Sequence, residues 1–154
     1  MRRGLCVCAA LAALFVPATA AAHTDAGWQL SLQQPAEGSI TSPFGWDGGR
    51  WHPGLDIGTL RSLNVVAAAA GVVTQVGYVP GFDGYGNIVL IRHREGFVTL
   101  YAHLAETSAR VGQVVWSGES IGTAGCTGSC TGTHLHFELR YRNVAIDPSL
   151  LLVG

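Results

Sequence analysis

The 154-residue chain contains no lysine, and only 12% of its residues are charged. Ala67 to Gly77 and Val111 to Gly122 have the Val/Gly rhythm of the small barrels that carry biotin or lipoate, but attachment needs a lysine amine, so that function is excluded. Cations are scarce as well. With Arg2 and Arg3 set aside, seven arginines face ten carboxylates, a formal charge of −3. That is too few cations for the basic patch that a nucleic-acid or anionic-membrane partner requires. No stretch of 12 or more residues combines helical period with caps, which argues against a helical domain. No HExxH pattern occurs, so a helix-borne glutamate base beside two histidines is missing. The length allows one compact domain.

Long apolar runs are confined to the start. Arg2-Arg3 precedes twelve apolar residues, Leu5 to Val16, and then Ala18-Thr19-Ala20-Ala21-Ala22. A basic start, a short apolar stretch and small residues predict a secretory signal peptide over residues 1–22. The run is too short for a membrane span, which needs about 20 residues. Export to the extracellular space, cell wall or periplasm is therefore expected, with no stable membrane insertion. Cleavage would remove Cys6 and Cys8 and leave Cys126 and Cys130 in an oxidising compartment. Fully extended, those two would stand about 13 Å apart, beyond the roughly 7 Å limit for a bridge. A disulfide thus requires chain reversal at Thr127-Gly128-Ser129, which is good turn sequence. Such a bridge would stiffen the loop leading into His134.

What remains is rich in glycine, at 20 of 132 residues, and reads as short strands between tight turns. Expected strands are Trp28 to Gln33, Asn64 to Ala68, Gly71 to Val76, Asn87 to His93, Phe97 to His103, Gln113 to Trp116, Ser120 to Ala124 and His134 to Tyr141. Arg94-Glu95-Gly96 should form a hairpin turn, and Pro35 to Gly49 a loop. The pattern predicts a mainly β single domain.

Two strands carry chemistry. From His134 to Tyr141, period 2 places Leu135, Phe137, Leu139 and Tyr141 on one face and His134, His136, Glu138 and Arg140 on the other. The two imidazoles then point into one volume about 7 Å apart. From Phe97 to His103, Val98, Leu100 and Ala102 alternate with Thr99, Tyr101 and His103. His52-Pro53-Gly54-Leu55-Asp56 adds an imidazole and a carboxylate that a turn or bent strand could bring together. Two histidines and one carboxylate suit a catalytic zinc site, which keeps its fourth position open. Glu138 could orient His136 by a hydrogen bond, or sit at a groove rim paired with Arg140. Trp46, Trp51, Tyr78 and Tyr85 sit in or near loops that could border a substrate groove, though singly each reads as a packing residue, and His23 and His93 read as exposed or internally satisfied side chains.

In order along the chain, PAEGSITSPFG from Pro35 to Gly45, HPGLDIG from His52 to Gly58, AAGVV at Ala69 to Val73, GYGN at Gly84 to Asn87, YAHL at Tyr101 to Leu104 and GTHLHFEL at Gly132 to Leu139 resemble the lysostaphin-type, or LytM-like, zinc endopeptidases. The resemblance spans about Pro35 to Asp147. It implies an antiparallel β-sheet core with an open active-site groove bordered by loops, and cleavage of peptidoglycan stems or cross-bridges. It also implies one zinc ion per chain, held by His52, Asp56 and His136, with His103 and His134 beside the attacking water as catalytic residues. Zinc brings the pKa of bound water toward ~7, and an imidazole with an ordinary pKa near 6.5 can move the proton. Which of His103 and His134 is the base stays open, and no substrate-binding residue is assigned. Residues 23–34 would be an N-terminal extension and 35–150 the metallopeptidase domain, acting as a monomer with no separate wall-binding domain.

Two rivals remain. The resembling family includes degenerate members that have lost ligands and only bind the wall or activate other hydrolases, but all five polar positions are intact here. A different zinc peptidase class, acting on D-amino-acid dipeptides, also pairs a histidine with a following aspartate, yet leaves YAHL and HLH unexplained together.

Overall fold

The structure is a computed structural model, and it describes residues 30–153. The expected signal peptide, Cys6, Cys8, His23 and the start of the Trp28 strand lie outside the described residues. The strands are β1 (Leu32–Gln33), β2 (Ser39–Ser42), β3 (Gly45–Asp47), β4 (Arg50–His52), β5 (Leu55–Gly58), β6 (Asn64–Val66), β7 (Gly71–Gly77), β8 (Asn87–Arg92), β9 (Phe97–Thr107), β10 (Val114–Val115), β11 (Ser120–Ala124), β12 (Leu135–Tyr141), β13 (Val144–Ile146) and β14 (Leu152–Val153). Two 3₁₀ turns, Arg94–Gly96 and Pro148–Leu150, are the helical elements among the described residues.

One antiparallel sheet dominates, in the order β10-β7-β8-β9-β12-β5-β2, with β11 joined to β9 and β6, and β13 to β12. The hairpin β3-β4 stands apart, and β1 pairs with β14 in parallel.

The central strands are apolar on both faces, which explains their near-continuous hydrophobic runs. In β8, Val89 and Ile91 enter the main core with Tyr101, Leu135, Phe137 and Leu139. Ile88 and Leu90 join Leu100 and Ala102 in a smaller cluster on the opposite face, covered by Val79, Phe82 and Tyr85. The polar face expected for β12 is therefore not solvated, and Glu138 is 0% exposed. Under that cover a charge must be paired rather than hydrated.

The segment expected as a loop, 35–49, holds β2 and β3. Ser39–Ser42 is an exposed edge strand without apolar alternation, and its pairing with β5 leaves no local signal. The Arg94–Gly96 turn joins β8 and β9 as expected, with Glu95 and Gly96 at positive φ. A second tight turn, Arg142-Asn143, links β12 and β13 with both residues at positive φ. Such a turn is hard to read where neither residue is glycine.

Candidate metal centre

The site is built around β12 and the two strands beside it. His52 ends β4, and a bend at Pro53-Gly54 leads the chain into β5. A Cβ on Gly54 would lie 2.4 Å from the Phe137 carbonyl oxygen, so only glycine lets this bend lie against β12. The register of β5 on β12 sets Asp56 directly opposite His136, and facing partners share one side of a sheet. The outcome is a cluster in which Asp56 Oδ1 lies 2.8 Å from His136 Nδ1 and 3.1 Å from His52 Nε2. The two imidazole nitrogens are 3.1 Å apart.

The far side of each ring fixes its tautomer. His52 Nδ1 is 2.7 Å from the Pro43 carbonyl, which can only accept, so Nδ1 carries the proton and Nε2 faces the cluster bare. His136 Nε2 donates to Glu138 Oε1 at 3.1 Å, leaving Nδ1 bare. Glu138 also accepts from the Tyr85 hydroxyl at 2.5 Å and from Arg140 Nε at 2.6 Å. Both roles considered for Glu138, orienting His136 and pairing with Arg140, are thus filled by one carboxylate, buried rather than at the rim. Burial would raise its pKa, but bonds from His136, Arg140 and Tyr85 hold it below the usual value. Burial, then Glu138, pushes the Tyr85 hydroxyl up.

Three acceptors aimed at one point could hold a cation. His52 Nε2, Asp56 Oδ and His136 Nδ1 lie within 4.8 Å of one another, a nitrogen and oxygen donor set that suits zinc. The charge balance agrees. Burial would raise Asp56, yet protons taken up on the facing nitrogens of His136 and His52 and donated to it hold its carboxyl well below the carboxylate range. The Asp56 bond raises His52 against the cost of burial. For His136 burial opposes protonation, and its bonds to Asp56 and Glu138 outweigh it. The cluster draws protons as it would draw a metal.

His103 and His134 face the same volume. Strict alternation along β9 would send His103 toward the core with Thr99 and Tyr101. The register against β8 slips between Asn87 and Val89, and His103 adopts φ +60°. This bulge re-aims the ring, bringing its centroid to 4.8 Å from His134 and 6.0 Å from His136. His103 Nδ1–H donates to the Thr127 carbonyl at 2.8 Å, and His134 Nδ1–H to that of Gly132 at 2.7 Å. Each Nε2 is left for the groove, that of His134 at 3.7 Å from Asp56 Oδ1. Burial, followed by the neighbouring rings of His134 and His136, lowers the His103 pKa despite its bond to Thr127.

All five side chains line an open cavity of about 380 Å³, bordered by Arg50, Trp51, Tyr85 and the 129–131 loop. Trp46 is 75% exposed and Tyr78 70%, so neither packs into the core as expected. The pairing Cys126–Cys130 is formed, with Cα atoms 5.3 Å apart. The carbonyls of Pro43, Thr127 and Gly132 were invisible to sequence reasoning, because a backbone oxygen has no residue-type signal.

A two-faced antiparallel sheet with this imidazole and carboxylate cluster at its groove defines a metallopeptidase-like class. The chain belongs to peptidase family M23, whose sequence model matches residues 50–148. It is 39% identical to the cell division protein DipM of Caulobacter vibrioides over 87% of this chain, and 35% identical to the murein hydrolase activator NlpD of Escherichia coli over 74%. The chain spans 24% and 29% of the length of those relatives. Among solved structures it is similar to a zinc-containing peptidase from Vibrio cholerae, with TM-score 0.68 and 33% identity, covering 77% of this chain and 39% of that one. It is also similar to the catalytic domain of the antimicrobial peptidase lysostaphin from Staphylococcus simulans, with TM-score 0.61 and 28% identity, covering 75% and 90%. No described helix is long and apolar enough to cross a membrane.

Proposed function

We propose that the chain is an exported zinc endopeptidase that hydrolyses peptide bonds in peptidoglycan stems or cross-bridges. The observation that carries this reading is the set of three donor atoms within 4.8 Å, faced by two further imidazoles whose Nδ1 protons are tied to backbone carbonyls. His52, Asp56 and His136 would hold one zinc ion per chain. When bound, zinc would supply Lewis acidity to polarise the scissile carbonyl and acidify a water molecule. The protein's own groups handle the proton. His103 and His134 each turn a bare Nε2 to the groove, so either ring can take it as base, and the imidazolium so formed can then donate its Nε2–H to the developing charge or the leaving amine. Pro43 and Glu138 hold the ligand rings in their metal-facing tautomers.

The catalytic domain is proposed to occupy residues 35–150, with Leu30 and Leu32 packed onto its core, after removal of a signal peptide over 1–22. It would act as a monomer. Similarity to a murein hydrolase activator supports a second reading, in which the chain binds the wall and stimulates another hydrolase.

Digestion of purified peptidoglycan by the chain alone, with and without a chelator, separates the two. The expected result is release of new amino termini without new reducing sugar ends, abolished by chelation. Intact peptidoglycan in both arms would overturn the endopeptidase reading.

A further inference from the structure

Residues 125–134 join β11 to β12, and two carbonyls of this segment hold the two imidazoles outside the proposed ligand cluster. Thr127 lies inside the small ring closed by Cys126 and Cys130, and its carbonyl takes the His103 Nδ1 proton. Gly132, two residues beyond the ring, takes that of His134. One loop therefore sets the orientation of both rings. The loop is tightly held elsewhere as well. The Thr127 hydroxyl donates to the Leu104 carbonyl at 2.8 Å and accepts from the Asn87 amide at 2.9 Å. Ser129 N–H donates to the Gly84 carbonyl at 2.8 Å. Glycines let it press this close: a Cβ on Gly86 would lie 2.4 Å from the Thr127 carbonyl carbon, and one on Gly128, at φ +74°, 2.4 Å from the Gly84 oxygen.

The three proposed ligands hang on different parts of the fold. His52 is anchored by Pro43, Asp56 by the β5–β12 register and His136 by Glu138. None of these supports passes through the loop. Cys126 is exposed and Cys130 half-buried at the cavity, within reach of a soluble reductant.

We infer that the Cys126–Cys130 bridge is a positioning element for His103 and His134, so that turnover requires the oxidised bridge while metal retention does not. The inference rests on the roles proposed above for those histidines. With the bridge open, Thr127 and Ser129 keep their hydrogen bonds to Leu104, Asn87 and Gly84, but the turn between Thr127 and Gly132 loses its covalent closure, and the two carbonyl anchors are no longer held in one fixed relation. A reacting group misplaced by about 1 Å costs on the order of 10²-fold in rate.

The test compares the oxidised, zinc-loaded chain with the same protein treated with a water-soluble tertiary phosphine. Each bridge consumes one phosphine and one water, giving two thiols and a phosphine oxide. A Cys126→Ser/Cys130→Ser variant runs in parallel. The expected result is a fall in kcat of about 10²-fold, with KM within about twofold and zinc content unchanged. Reoxidation should restore kcat in the reduced wild type only. Nitrogen-15 spectra of the imidazoles give a readout independent of activity: the Nδ1–H signals of His103 and His134 should be slow to exchange when the bridge is closed and lost when it is open, with His52 and His136 unchanged. Retention of kcat, or of both Nδ1–H signals, after reduction overturns the inference. So does zinc loss in step with kcat, which would make the bridge a support of the ligand cluster. An oxidised chain that cleaves nothing overturns the peptidase reading, and the spectra then decide the positioning claim alone.

Discussion

His136 turns Nδ1 to the cluster, whereas His52, His103 and His134 turn Nε2 to the groove. The difference follows from what lies behind each ring: a buried carboxylate two residues along the strand for His136, and backbone carbonyls for the other three. Those supports divide the five residues into two groups with separable phenotypes. Ala at His52, Asp56 or His136 should lower bound zinc, read by metal analysis of the purified chain. Ala at His103 or His134 should leave zinc in place and reduce turnover by about 10²- to 10⁴-fold, the usual contribution of a positioned acid or base. Full zinc retention by Asp56→Ala would break the ligand assignment. At this scale the sequence was most legible. The HLH pair stood out by type and spacing and the full set of five through the family resemblance of their motifs, but the tautomers and Glu138's three partners depended on contacts between distant segments.

At the scale of elements, two irregularities place the chemistry. The bulge at His103 takes its ring out of the alternation that strand periodicity predicts, and the Pro53-Gly54 bend delivers Asp56 to its place opposite His136. Gly54 is the tighter constraint, since its missing Cβ is filled by the Phe137 carbonyl. Gly54→Ala should therefore cost about 1–3 kcal/mol, the range for inserting atoms into a packed site, seen as a lower urea midpoint, and should weaken zinc binding. Unchanged stability together with unchanged zinc affinity would show that the bend can shift without consequence. Most strands with apolar alternation or continuous apolar runs were legible beforehand, but the short β5 and β13 were not among those expected. The edge strand β2 and the hairpin β3-β4 were not, because exposed polar strands are defined by their partners rather than by their own residues.

At the scale of the whole molecule, a polar chain runs through the core away from the groove. The Ala68 amide donates to the Tyr101 hydroxyl at 2.8 Å, Tyr101 and Thr99 are linked at 3.0 Å, and Thr99 meets His93 Nε2 at 2.8 Å, while His93 Nδ1–H donates to the Ala70 carbonyl. Burial lowers the His93 pKa and pushes the Tyr101 hydroxyl up to about 12. With the folded pKa of His93 below its unfolded value near 6.5, the unfolded chain binds the extra proton, so this contribution is complete above that value and is lost as pH falls below it. The stability advantage of the wild type over His93→Gln in urea melts should shrink as pH is lowered through 6.5, and an advantage that grows toward acid would contradict the neutral assignment. From the sequence by itself came the β class, the expected leader, the reactive residues and the cysteine pair, since residue type, period and turn chemistry are local properties. Only the tertiary structure decided that Asp56 and His136, 80 residues apart, face one another, that three carbonyls and one buried carboxylate orient four imidazoles, and that one disulfide-closed loop serves two of them. Those depend on strand register and on backbone atoms brought together over long separations, which no local pattern encodes.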